Sequence, residues 1–128
     1  MKILPFVAAL VLLAACSSNP AISKQLAGTD SVVVNFNYPQ TNNIMKSVAS
    51  TEDFAIEKLT RLVAAKTIET NKCGNDGNCL FYKNGALLGN VSFNYSTESC
   101  RHFAILLDNK LTNTSMDNEA ADYLKSLR

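Results

Sequence analysis

Two apolar runs flank an Asn-Gly pair in the stretch Leu80-Phe81-Tyr82-Lys83-Asn84-Gly85-Ala86-Leu87-Leu88, and this stretch decides the fold. Asn and Gly tolerate the positive φ angles that a two-residue β-hairpin turn requires. A turn at this pair places Tyr82 opposite Leu87 and Leu80 opposite Gly89. The sequence therefore predicts an antiparallel hairpin, and the remaining strands can be placed around it.

Further strands are expected on both sides of the hairpin. After it, apolar side chains alternate along Arg101–Leu107, and a tight turn at Asp108-Asn109 leads to a short polar strand around Lys110–Thr114. Before it, Val32–Tyr38 is rich in β-branched and aromatic residues and ends at Pro39, which favours a strand. We expect a meander of about four strands after residue 79, joined at an edge by Val32–Tyr38. The resulting antiparallel sheet has four to five strands.

Two segments show the apolar spacing of helices. One begins at Thr51 or Glu52 and continues to about Thr70, with acidic residues in its first turn, where the helix dipole favours them. The other begins at Ser115 or Asp117 and ends at Leu127. A weaker pattern predicts a short helix within Thr41–Ala49. Together with the sheet, these patterns predict an α+β fold with two main helices packed on one sheet face.

A short apolar segment precedes the first cysteine. Ile3–Ala15 is apolar apart from Pro5 and follows the basic Lys2, a pattern typical of a secretory signal. Its thirteen positions are fewer than the roughly 20 residues that a helix needs to cross a bilayer. Leu13-Ala14-Ala15-Cys16, followed by two serines, resembles the lipobox of bacterial lipoproteins.

This resemblance implies that a signal peptide of residues 1–15 is removed and that Cys16 becomes the lipid-bearing first residue. The lipid would be a diacylglycerol on the thiol and an acyl chain on the new amino group, and no other cofactor is expected. Ser17 indicates export to the outer membrane if the host is Gram-negative. The alternative is a plain secretory signal in which Cys16 is incidental. Residues 16–31 are expected to form a flexible tether, and residues 32–128 a single α+β domain.

The charge balance limits the class of partner. Of the 12 basic side chains the signal removes Lys2, which leaves 11 against 11 acidic ones. A net charge near zero provides no basic surface for nucleic acid. We therefore expect the membrane, through the lipid anchor, and an envelope protein or cell-wall component as partners.

Three further cysteines, Cys73, Cys79 and Cys100, would lie in an oxidising compartment, which predicts one disulfide and one free thiol. The hairpin register places Cys79 far from Cys100, so Cys73–Cys79 is the first choice and Cys73–Cys100 the alternative. A Cys₃His zinc site that includes His102 competes with this prediction. The five residues between Cys73 and Cys79 exceed the usual ligand spacing, so no metal is expected.

Strand alternation also predicts a contact surface. It places Phe81, Leu88 and Leu106 on the sheet face opposite Tyr82, Phe93 and Phe103, and His102 on the same outer face. Either a further layer covers this face or it is an apolar contact surface. Glu98 and Ser99 are near His102 in sequence, but no nucleophile motif accompanies them, so no catalytic residue is expected.

The leading functional hypothesis is therefore a membrane-anchored, non-enzymatic binding or assembly accessory module of the cell envelope. One alternative is an inhibitor of a periplasmic hydrolase, acting through a rigid exposed loop such as Cys73–Cys79 or Ser96–Ser99. A second alternative is a small-ligand carrier or enzyme with a pocket around His102.

Overall fold

The computed structural model describes residues 19–69 and 73–128, and the lipobox with Cys16 lies outside these ranges. The described residues form three α-helices, seven strands and a 3₁₀ turn at Glu98–Cys100. The helices are α1 (Pro20–Gln25), α2 (Asp53–Val63) and α3 (Asn118–Leu127). The strands are β1 (Ser31–Asn37), β2 (Ile44–Ser50), β3 (Thr67–Ile68), β4 (Gly77–Lys83), β5 (Ala86–Asn94), β6 (His102–Leu107) and β7 (Lys110–Ser115).

The strands form one antiparallel sheet in the order β2-β1-β4-β5-β6-β7-β3. The α+β fold with an antiparallel sheet is therefore confirmed. The sheet is larger than predicted, because it has seven strands in the described part of the chain rather than four to five. The prediction that β1 joins the meander at an edge was correct for its pairing with β4, but β2 lies outside β1 and forms the edge.

The expected short helix within Thr41–Ala49 is instead strand β2. This segment pairs with β1 from Asn37↔Ile44 to Val32↔Ser50. The pairing places Val48 opposite Val34 and lets it pack against the core. The hydrogen bonds and side-chain contacts of the pairing therefore outweigh a weak helical spacing.

Helix α2 ends seven residues earlier than the predicted boundary near Thr70. The β-branched residues Thr67 and Ile68 pair with Thr114 and Asn113 of β7. The Thr114 hydroxyl also donates to the carbonyl of Val63, the last residue of α2, at 2.9 Å. Because the Thr114 hydroxyl gives this terminal carbonyl a hydrogen bond, the helix can end at Val63 and the following residues can extend the sheet.

The segment predicted as a flexible tether contains helix α1. Pro20 occupies the first turn, and the Asn19 side chain accepts a hydrogen bond from the Ile22 amide, which are both usual features of a helix start. Ile22 and Leu26 are buried in the core. The ordered domain therefore includes residues before 32, and the tether prediction was wrong for this segment.

The central hairpin has its predicted turn but only part of its predicted register. Asn84 and Gly85 both have positive φ angles, and Tyr82 pairs with Leu87 as expected. The register then shifts between Phe81 and Tyr82, so Phe81 rather than Leu80 lies opposite Gly89. A β-bulge thus adds one residue to β5, so the alternation of side chains between the two faces of the sheet is out of step on either side of the bulge.

A single core cluster holds the helices on one face of the sheet. The strands contribute inward residues from alternate positions, and all three helices contribute their apolar sides. The cluster includes Val32, Val34, Phe36, Cys79, Phe81, Val91, Phe93, Phe103 and Ile105 from the strands, and Ile22, Ile56, Leu59, Leu62, Ala120, Ala121 and Leu124 from the helices. We call the opposite side of the sheet the uncovered face, because the described helices all pack on the core side.

Candidate binding site on the uncovered sheet face

A ladder of four hydrogen-bonded side chains crosses the uncovered face from β2 to β5. The Ser47 hydroxyl donates to Asn35 Oδ1 at 2.6 Å. Asn35 Nδ2 donates to Asn78 Oδ1 at 3.1 Å, and Asn78 Nδ2 donates to Asn90 Oδ1 at 2.9 Å. Asn35 and Asn78 thus each accept from one neighbour and donate to the next, an arrangement in which hydrogen bonds polarise one another. We call Ser47, Asn35, Asn78 and Asn90 the asparagine ladder.

Three members of the ladder, Asn35, Asn78 and Asn90, line a groove of about 480 Å³, which we call the asparagine groove. Six of its ten lining residues are asparagines, and none carries an ionisable side chain. The lining consists of Asn35, Asn37, Asn42, Ile44, Asn75, Gly77, Asn78, Leu80, Asn90 and Ser92. No sequence pattern predicted this site, although Asn35, Asn78 and Asn90 occupy outward positions of strands. Their low strand propensity was the available signal.

Of the apolar side chains predicted for the contact surface, Leu106 is exposed and Phe81 is not. Leu106 is 59% exposed and pairs with Leu111, which is 54% exposed, so these two large apolar side chains are accessible on the same face of the sheet. Phe81, by contrast, is fully buried in the core, and Leu88 at the bulge packs partly against the core. The one-residue register shift explains why alternation assigned these two side chains to the wrong environment.

His102 is buried at the start of β6 rather than exposed in a pocket. It is 3% exposed, and its Nδ1 lies 2.7 Å from the Cys100 carbonyl oxygen. Asn94 and Ser115 lie opposite it on the neighbouring strands. His102 is therefore not part of an accessible contact surface, and its position gives no support to the pocket proposed around it.

The cysteines pair as Cys73–Cys100, which was the alternative, and not as Cys73–Cys79. Cys79 lies in the middle of β4, between Val34 of β1 and Val91 of β5, with its side chain in the core. Burial raises the pKa of its thiol to about 12, so the thiol is protonated and a poor nucleophile at neutral pH. Within residues 19–69 and 73–128 no group of three or more His, Cys, Asp or Glu side chains could hold a metal ion.

The loop Ser96–Ser99 is exposed but firmly held at its base. The Asp76 carboxylate accepts hydrogen bonds from the amides of Tyr95 and Ser96, at 2.7 and 2.9 Å, and from the Ser96 hydroxyl. The Cys73–Cys100 disulfide closes the other side of this loop. The second loop considered, Cys73–Cys79, is different, because its last three residues already belong to strand β4.

Two contacts that involve charged side chains join helices α2 and α3. Arg61 of α2 forms a bidentate ion pair with Glu119 of α3, with nitrogen–oxygen distances of 3.3 and 2.9 Å. This hydrogen-bonded pairing raises the pKa of Arg61 and lowers the pKa of Glu119. Lys58 lies 4.4 Å from the centre of the Tyr123 ring, a cation–π contact. Because both contacts join α2 to α3, they have a clear structural role.

Comparisons with protein-family models, curated proteins and solved structures found no significant match to this chain. Among the described residues, no helix combines the length and the apolar character that crossing a bilayer requires. The site must therefore be interpreted from its own residues.

Proposed function

We propose that the chain is a membrane-anchored lipoprotein of the cell envelope that acts as a non-enzymatic binding or assembly accessory module. The observation that supports binding most strongly is the uncovered face, which carries the asparagine ladder and the exposed Leu106–Leu111 pair. The three helices in the described part of the chain pack on the opposite side of the sheet. The lipobox at Leu13–Cys16 supports the anchor and the envelope location.

The anchor is tested by replacing Cys16 with Ser. Cells expressing the wild-type protein should incorporate labelled fatty acid into it and retain it in the membrane fraction. The variant should lose the label and leave that fraction, because the thiol that carries the diacylglycerol is gone. A variant that labels and sediments like the wild type would show that the lipobox interpretation is wrong.

The binding role is tested with a photoreactive amino acid placed in living cells at Leu106 on the uncovered face. A matched protein carries the same amino acid at Asp122, which is exposed on α3. We expect an envelope protein or cell-wall fragment to be captured from Leu106 and not from Asp122. Equal capture at both positions, or capture at Asp122 alone, would contradict a role for this face.

A second candidate function, inhibition of a periplasmic hydrolase, is supported by the Ser96–Ser99 loop. Its base is fixed by Asp76 and by the disulfide while its tip is exposed, and a preorganised loop binds a cleft at low entropic cost. The purified protein should then inhibit a muramidase or protease of the envelope, and Glu98→Ala should weaken inhibition more than Asp122→Ala. Absence of inhibition across such a panel would remove this candidate.

A further inference from the structure

We infer that the asparagine groove is a binding site for a neutral, hydroxyl-rich oligosaccharide. This inference rests on the proposed function, because it names the ligand class of the same uncovered face. The lining of the groove carries no charged side chain. Its side chains are amides, one hydroxyl and two aliphatic groups, so the groove offers no cation to a phosphate and no carboxylate to a basic ligand.

The hydrogen-bonding groups of the groove match those of a sugar. A sugar hydroxyl both donates and accepts, and so does a side-chain amide. The ladder uses one donor of Asn35 and one of Asn78, which leaves the second N–H of each amide for a ligand. Among the described residues, Asn90 Nδ2 has no protein acceptor, so both N–H groups of this lining side chain can donate to a ligand.

The side chains of the ladder are preorganised by their own hydrogen bonds. Asn35 is only 6% exposed, and its amide is fixed on both sides by Ser47 and Asn78. The ladder spans four adjacent strands, and three inter-strand spacings correspond to roughly 14 Å. This length suits a short oligosaccharide rather than a single sugar. Because the amides are already held in place, binding costs little further side-chain entropy.

The sequence departs from strand preferences at the positions of the ladder. Asparagine is disfavoured in strands, yet Asn35, Asn78 and Asn90 occupy β1, β4 and β5 of the inner sheet. Residues that break a local preference in this way are characteristic of functional sites. Ile44 and Leu80 add apolar contact area of the kind that the C–H face of a sugar ring can cover.

The experiment is a titration of the ¹⁵N-labelled full chain by NMR. The protein is kept in alkylphosphocholine micelles, since a detergent with a sugar headgroup would compete for the groove. The probes are tetramers of N-acetylglucosamine and of glucose, which separate a cell-wall type of glycan from other neutral glycans. A sulfated oligosaccharide serves as the charged comparison. We expect a neutral tetramer to shift the side-chain amide signals of Asn35, Asn78 and Asn90.

Two variants show whether the groove itself binds. Asn90→Ala removes the exposed end of the ladder and should weaken binding of the neutral tetramer about 5- to 10-fold, the loss expected for one hydrogen bond. Asn118→Ala changes an exposed asparagine on the helical side and should leave the affinity unchanged. Equal weakening by both variants, or equal binding of the sulfated probe, would overturn the inference.

The outcomes also separate this inference from the proposed function. If no neutral probe shifts the ladder amides while Leu106 captures an envelope protein in cells, the glycan inference fails and the binding role stands. If neither occurs, both fail. A shift by the neutral probes that Asn90→Ala weakens supports the inference, and the preferred tetramer indicates the kind of glycan.

Discussion

Asn35 lies directly opposite Asn78 on neighbouring antiparallel strands, and its Nδ2 donates to Asn78 Oδ1 at 3.1 Å. Asn78 in turn donates to Asn90, so its amide joins the two halves of the asparagine ladder. This position makes Asn78 the member whose loss disturbs most of the ladder. The side chain of Asn35, which is largely removed from water, would lose its acceptor.

Replacing Asn78 with Ala should therefore lower the free energy of unfolding by about 1–2 kcal/mol, because two hydrogen bonds are lost and a nearly buried donor is left unpaired. Urea denaturation followed by circular dichroism measures this loss. Asn90→Ala, at the exposed end of the ladder, should cost less than about 1 kcal/mol. Equal losses in the two variants would mean that the ladder does not act as a connected unit.

The disulfide can be located by mass spectrometry without reduction. The denatured protein is alkylated and cleaved by trypsin, which leaves Cys73 and Cys79 together in the peptide 73–83. A second cleavage before Asp76 separates them. We expect the fragment 73–75 to remain linked to the peptide 84–101, and the fragment 76–83 to carry the alkyl group on Cys79. An alkylated Cys73 would contradict the pairing.

Removing this disulfide should destabilise the domain. The two cysteines are 27 positions apart, and closing a loop of that length stabilises the folded state by about 3.5 kcal/mol in the chain-entropy model. Cys100→Ala should therefore reduce the free energy of unfolding by about this amount. Reduction of the wild-type protein should give a similar loss, whereas a reductant should not affect the variant further.

Gln25 joins two strands at the point where β5 and β6 separate. Its Nε2 donates to the carbonyl oxygens of Leu88 and Leu106, at 3.1 and 3.3 Å. Gln25→Ala should cost about 1 kcal/mol and accelerate hydrogen exchange at the adjoining ends of β5 and β6. Lys24→Ala, at an exposed position of the same helix, should have no such effect.

Gln25→Glu is a sharper version of this test. At neutral pH the isosteric carboxylate would face two carbonyl oxygens with no proton to donate. Gln25→Glu should therefore lower the free energy of unfolding more than Gln25→Ala does. Lowering the pH protonates the carboxylate and should reduce the difference between the two variants. If both variants retain wild-type stability and exchange rates, the bridging role of Gln25 is wrong.

Two glycines in the sheet should respond differently to the same substitution. A Cβ on Gly77 would clash with the backbone oxygen of Asn35, which cannot move without breaking the β1–β4 pairing. A Cβ on Gly89 would lie 2.8 Å from Leu26 Cδ2, the end of a side chain that can rotate. We therefore expect Gly77→Ala to cost more than about 3 kcal/mol or to prevent folding, and Gly89→Ala to cost about 1 kcal/mol.

Gly74 provides the control for these variants, because nothing lies within 4 Å of an added Cβ there. Gly74→Ala should change the free energy of unfolding by no more than about 0.5 kcal/mol. Thermal denaturation of the three variants gives the ranking. A Gly77→Ala protein as stable as Gly74→Ala would contradict the close approach of β1 to β4.

The buried thiol of Cys79 should make stability depend on pH above 9. Burial raises its pKa from 9.0 to about 12, so between these values the folded state retains a proton that the unfolded state loses. Its contribution to stability is complete below pH 9 and decreases by up to about 1.4 kcal/mol per pH unit above it. Because lysine and tyrosine side chains also titrate there, the comparison with Cys79→Ala isolates the thiol.

The measured quantity is the difference between the unfolding free energies of the wild type and Cys79→Ala, from pH 7 to 10.5. This difference should be constant up to about pH 9 and then shrink as the pH rises. A thiol reagent should also fail to modify Cys79 in the folded protein. A difference that stays constant throughout the range would mean that the thiol does not titrate at a raised pKa.

Features set by neighbouring residues were predictable from the sequence. The turns at Asn84-Gly85 and Asp108-Asn109 both have the positive φ angles that these residues tolerate. Helix α3 begins after Asp117, whose side chain accepts a hydrogen bond from the Ala120 amide. In each case residues within four positions provide the interaction, so local propensity and the final structure agree.

Tertiary structure decided the features that depend on distant pairing. Strand β2 exists because β1 offers it a partner, and α1 is ordered because Ile22 and Leu26 find the core. The bulge in β5 places Phe81 in the core. Cys79 lies between two other strands, so Cys100 is the partner of Cys73. A one-residue shift of register reverses the face of every following side chain. The asparagine ladder also depends on tertiary structure, because its hydrogen bonds join residues that are far apart in sequence. They can form only once the three strands that hold Asn35, Asn78 and Asn90 are aligned.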